Sequence, residues 1–358
     1  MDISKVKQDQ VAGANSNQFQ QNGDNPTQNF TTNYNTTIGL PVTDVIELTA
    51  SVSAQVTKQA LAQCTQVSEE ICVNRIKTFE STWIPVVTKM ENIANHLIDP
   101  KFQFMIRDAN ISAAKSSRKE DLDMLTQLLV CHIEKGEDMI IDAGINKAIQ
   151  IVDEVDNDAL CGLTNVTSLL HTVPTNVGIY DGLKTLDGLY EKLLYSKLPV
   201  GTDWIDHLQI LGAINIQTGS FKKLEKILSD RLDGYVCVGI REGSTEHENA
   251  LNILKEKGYG PNNLTKNECM DGYLRLKIAD TSKLKPELKP ILEYYSKDKQ
   301  LLKQVESKFL EIWDSNTNLK DIREWFNSIP LFFRISSVGK ALAQTNAKRL
   351  YQSFPDLI

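Results

Sequence analysis

The stretch from Ser117 to Val155 constrains the fold more than any other part of the chain. Leu122, Leu125, Leu129 and Ile133 recur at steps of three and four residues, so they share one face of a helix. Ser117-Arg118-Lys119-Glu120 has the spacing of a capping box, in which the serine oxygen accepts a first-turn N–H and the glutamate reaches back. Gly136 stands where the helix stops, since glycine enters the left-handed conformation without a Cβ clash. Ile141, Ile145, Ala148, Val152 and Val155 then repeat the spacing on a second helix. Two helices joined at a glycine predict an antiparallel helical hairpin.

Helices are expected on both sides of it. One runs from Thr43 to about Lys77, with Asp44 and Glu47 as its N-terminal signal and Val45, Leu48, Val52, Val56, Ala60, Cys64, Val67 and Ile71 as its stripe. Trp83-Ile84-Pro85 breaks the pattern, and helices follow over 86–98 and 101–115. The acidic run Asp153–Asp158 lacks the glycine and distal glutamate of a calcium loop, so it reads as a solvated helix end plus an N-cap. Helices over 159–170 and 181–195 complete a bundle of six or seven across residues 41–197.

The pattern changes at Pro199-Val200-Gly201. A short helix over 203–211 ends at Gly212, and strands are expected at 213–216, 235–240 and 273–278. A helix opened by a Thr245–Glu248 capping box lies between the last two, which suggests a βαβ-like unit. The loop Gly239–Ser244 is neither GxGxxG nor a P-loop, and Glu242 would oppose phosphate. Helices return from Asp298 and over 319–328, followed by a strand at 331–335 and a last helix, capped by Ser336 or Ser337, that runs to Tyr351. The fold class is therefore mainly α, with a smaller mixed α+β part over 198–358.

Residues 8–37 differ from everything that follows. Thirteen of these thirty are Asn or Gln, and no Lys or Arg occurs between Lys7 and Lys58. Gly13–Phe19 recurs ten residues later as Gly23–Phe30, with Gly, Asn and Gln at matching offsets. Such a segment is either a disordered polar tail or a strand-forming arm, and the repeat favours the arm. Two copies cannot bury a face alone, so the arm would order by pairing between subunits into a homo-oligomer. Asn15, Gln18, Asn25 and Gln28 would ladder, and Phe19, Phe30 and Tyr34 would supply apolar burial.

Composition narrows the function classes. With 39 Lys and Arg against 46 Asp and Glu, the chain carries −7, which disfavours nucleic-acid binding over the whole surface. No apolar run approaches the ~20 residues of a membrane span, and the N-terminus lacks a signal-peptide layout, so the cytoplasm is expected. Six scattered cysteines with no CxxC pair read as reduced, small hydrophobes, and no metal or cofactor is implied. Cys131 and His132 are helix neighbours whose side chains point about 100° apart, which argues against a catalytic dyad and for a core cysteine beside a boundary histidine. No catalytic motif stands out, although a site assembled from distant residues stays open.

Two phrases remain. Trp204-Ile205-Asp206-His207-Leu208-Gln209-Ile210-Leu211-Gly212-Ala213-Ile214 and Phe333-Arg334-Ile335-Ser336-Ser337-Val338-Gly339-Lys340-Ala341-Leu342-Ala343 each put a glycine where helix and strand meet closely. The pair resembles a family of bacterial proteins associated with abortive phage infection, often called Abi-alpha. Its members similarly carry a helical N-terminal half, a leucine–glycine–isoleucine turn and a terminal threonine–x–x–glycine helix; here Ser336 replaces the threonine. The resemblance implies a role in phage defence and transfers no catalytic residue. The expected function is thus a non-enzymatic, self-assembling scaffold or sensor-effector that meets a protein partner or phage component. The alternatives are an enzyme and a nucleic-acid-binding regulator with a winged-helix-like ending, for which Arg334, Lys340, Lys348 and Arg349 are the candidate phosphate contacts.

Overall fold

The computed structural model describes residues 42–61, 66–91 and 93–356. The chain divides into Met1–Gly39 and Leu40–Ile358, and the described residues all belong to the second unit. Asn15, Gln18, Phe19, Asn25, Gln28, Phe30 and Tyr34, expected as assembly contacts, therefore lie outside the described residues.

The second unit is mainly helical. Of the long helix expected from Thr43 to about Lys77, the described residues hold α1 (Val42–Leu61) and α2 (Gln66–Val87), and the latter runs ten residues past Lys77. Pro85 sits inside the last turn of α2, where it deprives the Ser81 carbonyl of its helical N–H. Ile76, Phe79, Trp83 and Val87, all buried, extend one stripe past the proline and hold that turn. The helix expected over 86–98 shrinks to α3 (Ile93–Ile98). Asp99 and Pro100 start α4 (Pro100–Lys115), and the Asp99 carboxylate accepts the Lys101 N–H at 2.9 Å.

The central hairpin is present as α5 (Lys119–Lys135) and α6 (Met139–Ile151), with Leu122, Leu125 and Leu129 facing Ile145 and Ala148 in the core. Its details depart from the sequence expectation. No Ser117–Glu120 box forms: Arg118 takes the cap position without a side-chain cap bond. The Arg118 guanidinium instead donates to Asp121 at 2.9 Å and to the Val155 carbonyl at 2.8 Å. Gly136 is right-handed, at φ −66°, so handedness does not explain it. A Cβ there would come within 2.5 Å of the His132 carbonyl oxygen and 2.8 Å of its ring, so close approach does.

α7 (Asn157–His171) and α8 (Ile179–Leu193) follow, the former capped by Asp156, whose carboxylate accepts from Asp158 and Ala159. Beyond Pro199 come α9 (Asp203–Ile210), β1 (Ile214–Ile216) and α10 (Leu224–Arg231), then β2 (Ile240–Arg241) and α11 (Thr245–Glu256). Ser244 rather than Thr245 caps α11, accepting from His247 N at 3.3 Å. After β3 (Leu264–Lys266) and β4 (Tyr273–Leu276) the chain returns to helix in α12 (Lys299–Asp314) and α13 (Thr317–Ser328), then β5 (Phe333–Ile335) and α14 (Ser337–Leu350).

The strands do not form the expected βαβ-like unit. β2, β4 and β3 lie in that order and every pairing is antiparallel. Most of the apolar run 235–240 is buried in turns rather than strand, because a short apolar run does not distinguish the two. Gly239, at φ +83°, ends it with its Cβ position 2.2 Å from the Leu274 carbonyl oxygen, a contact that only glycine permits.

The last helix lies inside the bundle. Ala341, Leu342, Ala343, Gln344, Thr345, Asn346 and Ala347 are all buried, and α14 packs on α5, α6 and α7. One hydrophobic core consequently runs from Phe79 to Phe354, while a smaller cluster around Ile240, Leu254, Leu276 and Ile291 lies under the three-stranded sheet.

Candidate functional site

The two phrases, some 120 residues apart, fold into a single structure. β1 and β5 pair antiparallel, matching Ile214 with Ile335, Asn215 with Arg334 and Ile216 with Phe333. Ser336 caps α14, accepting from Gly339 N at 3.1 Å, and its hydroxyl lies 2.7 Å from the Gly212 carbonyl oxygen. Ser336 N also donates to the Ala213 carbonyl at 3.0 Å, so the ribbon runs into the helix without a gap. Gly339 allows this approach: a Cβ there would lie 2.0 Å from the Ala213 carbonyl oxygen. Beneath the ribbon Phe333 meets Trp204 edge-on, at 5.7 Å between ring centroids.

α6 crosses the first turn of α14, with the Gly144 Cβ position 2.8 Å from the Ser337 carbonyl carbon. These elements enclose a groove of about 420 Å³. Ile140 and Ile141 form one wall, Asn215, Arg334 and Ile335 the second, and Ser336, Ser337 and Lys340 the third. Arg334 is exposed and Lys340 half-buried, and neither pairs with a described carboxylate. Two unneutralised cations beside the N-terminal turn of a fourteen-residue helix make this groove electropositive on a chain of charge −7. Outside the groove, burial holds His171 below the ordinary histidine value against a hydrogen bond to the Thr167 carbonyl, with Lys340 and Arg231 adding to the shift. At the start of α6 the lining residue Ile140 and its neighbour Met139 are 73% and 82% exposed.

The four basic residues read from the sequence do not form one patch. Arg334 and Lys340 share the groove, whereas Lys348 and Arg349 sit some two turns further along α14, roughly 12 Å away. Lys348 pairs with Asp356 at 2.7 Å, and Arg349 donates to Asn346 and lies over the Tyr195 ring. Both tie the end of α14 to the bundle.

Cys131 and His132 also take different places from those expected. Cys131 is half-buried and His132 is the buried partner, its Nδ1 2.6 Å from Asp142 Oδ1. Their spacing of ten residues across the hairpin turn is the only sequence signal that could have joined them. Burial pushes the Cys161 thiol up to about 11 and those of Cys237 and Cys269 up to about 12, so all three are protonated and poor nucleophiles at neutral pH. No described helix is long and apolar enough to cross a membrane.

The model of an uncharacterised family matches residues 39–357, nearly the whole chain, and the protein belongs to that family. Nothing in that match ties it to the abortive-infection proteins. No curated protein and no solved structure matches the chain.

Proposed function

We propose that this member of the family is a non-enzymatic, self-assembling sensor-effector of bacterial phage defence, working in the cytoplasm. Its receiving surface is the groove between α6, the β1–β5 ribbon and α14. The observation that carries this reading is the meeting of the two phrases around a pair of unneutralised cations. Arg334 and Lys340 attract a carboxylate or phosphate, and Arg334 adds a planar fork that can hold a carboxylate in two-point contact. Met139 and Ile140 offer apolar contact beside them. An acidic, partly apolar segment of a protein partner, such as a phage component, fits that combination. The protonated thiols and the engaged His132 support a binding role over a nucleophilic one. Assembly through residues 8–37 rests on their repeat and on the lack of Lys and Arg there.

Bacteria expressing the full chain, the R334A/K340A double variant or a chain without residues 1–40 would be challenged with a panel of phages. The full chain is expected to lower plating efficiency, and both variants are expected to lose that protection. A full chain that restricts no phage, or a double variant that protects as well as its parent, sinks the proposal. Light scattering adds a direct check on assembly: the truncated chain should have a lower mass at unchanged helix content. An electrophoretic shift of DNA that is steep in salt and lost in the double variant would instead favour the nucleic-acid regulator.

A further inference from the structure

The first turn of α6, which gives Ile140 and Ile141 to the groove, also gives Asp142 to a cluster of titratable side chains between α3, α4, α5 and α6. His132 is 4% exposed and bound to Asp142 at 2.6 Å. Lys101, from the first turn of α4, closes on the other carboxylate oxygen. The His132 ring lies flat against Phe102, with centroids 5.4 Å apart and planes within 7°. His96 of α3 meets both rings edge-on, at 6.0 Å from Phe102 and 6.1 Å from His132.

α3 is the weakest helix touching this cluster. It has six residues, of which Ile93 and Leu97 are buried, and a helix this short does not persist in water without its tertiary contacts. We infer that His96 and His132 form a proton-operated latch, which holds α3 on the bundle while His96 is neutral and frees it when His96 takes a proton.

The charges around each ring support this. His96 faces His132 from α5, Asp99 from the junction with α4 and Glu137 from the α5–α6 turn, while α1, which also packs on α3, carries the exposed carboxylates Asp44 and Glu47. Burial, then His132, holds His96 below the ordinary histidine value, while Asp99 and Glu137 oppose that shift and do not cancel it. His132 faces Asp142, which Lys101 already shares, and His96. A proton on His96 therefore adds a cation beside His132, which Asp99 and Glu137 offset only in part. The sign follows from linkage. A histidine with a lowered folded-state pKa binds fewer protons when docked, so docking is strongest above the unfolded-state value and weakens as pH falls below it. Release uncovers the Phe102 and His132 rings that His96 covers.

Hydrogen exchange of the full chain at about pH 7.5 and about pH 5.5, corrected for intrinsic rates, tests the latch. Amides of residues 93–98 are expected to lose at least about threefold in protection at the lower pH, with α12 and α13 unchanged. H96Q should flatten that dependence. H132Q should flatten it too, and should that variant fail to fold, H96Q alone decides, because its site is only half-buried. pH-independent protection of α3 in the parent, or an unaltered pH response in H96Q, overturns the inference.

Discussion

α14 and β4 are each enclosed on nearly all sides, α14 by the helical core and β4 by the sheet and the segment before α8, yet different forces enclose them. α14 is lined with small residues, and its neighbours come to backbone distance at Gly339 and Gly144. Its buried Asn346 is satisfied by the Thr164 hydroxyl at 2.9 Å and by Tyr195. β4 instead buries a full charge. Arg275 is 0% exposed, donates to the Val177 carbonyl at 2.7 Å and to Glu268 at 3.0 Å, and lies over the Tyr235 ring. It spans the two hydrophobic clusters, with Tyr235 in the larger and the flanking Leu274 and Leu276 in the smaller. The helical seam is thus limited by sterics, where one added methyl is too many, and the sheet seam by electrostatics, where a lost partner strands a buried polar group.

Substituting each seam separates the two mechanisms, and the largest effect is expected at α14. Gly339→Ala drives a methyl into the Ala213 carbonyl and should cost at least about 3 kcal/mol in denaturant unfolding, with the whole helical core affected. A loss under about 1 kcal/mol would mean that the ribbon yields and the steric account fails. Arg275→Met nearly keeps the volume and removes the charge, leaving the Val177 carbonyl without this donor and Glu268 with the Ile179 N–H alone on that oxygen. It should cost about 2–3 kcal/mol and raise hydrogen exchange in β2, β3 and β4 ahead of the bundle. Uniform destabilisation of both regions would show that the sheet has no separate stability.

Ser336→Ala removes the α14 cap and should cost about 1 kcal/mol, measured in the same unfolding experiment. The smallest effect is at the other end of α14. Hydrogen bonds from Lys348, then from Lys135, hold the Asp356 carboxyl below its ordinary range. A depressed carboxylate contributes stability that is present above its unfolded-state value and lost as pH falls through the folded one. Asp356 is half-exposed, so Asp356→Asn should cost well under about 1 kcal/mol at neutral pH and nothing in acid. An equal cost at both would remove the ion pair from the account.

The sequence by itself determined the elements that have one wet face and one dry one. α5 and α6 follow from their leucine and isoleucine spacing, and α12 from Asp298, whose carboxylate accepts the Gln300 N–H at 2.7 Å. A 3.6-residue period reports that contrast between faces, and a capping residue reports where the helix starts. Only the tertiary structure decided that α14 is the centre of the bundle, because a helix buried all round shows no contrast between faces. The same holds for the order β2, β4, β3, since a short apolar run is equally at home in a turn or a strand. The groove, too, was only half legible. Arg334 and Lys340 were visible as basic residues near a helix start, but Ile140 and Asn215 come from segments more than 190 and 110 residues away in sequence. What joins them is the bond from Ser336 to Gly212 and the absence of a Cβ at Gly339, long-range contacts that local spacing does not encode.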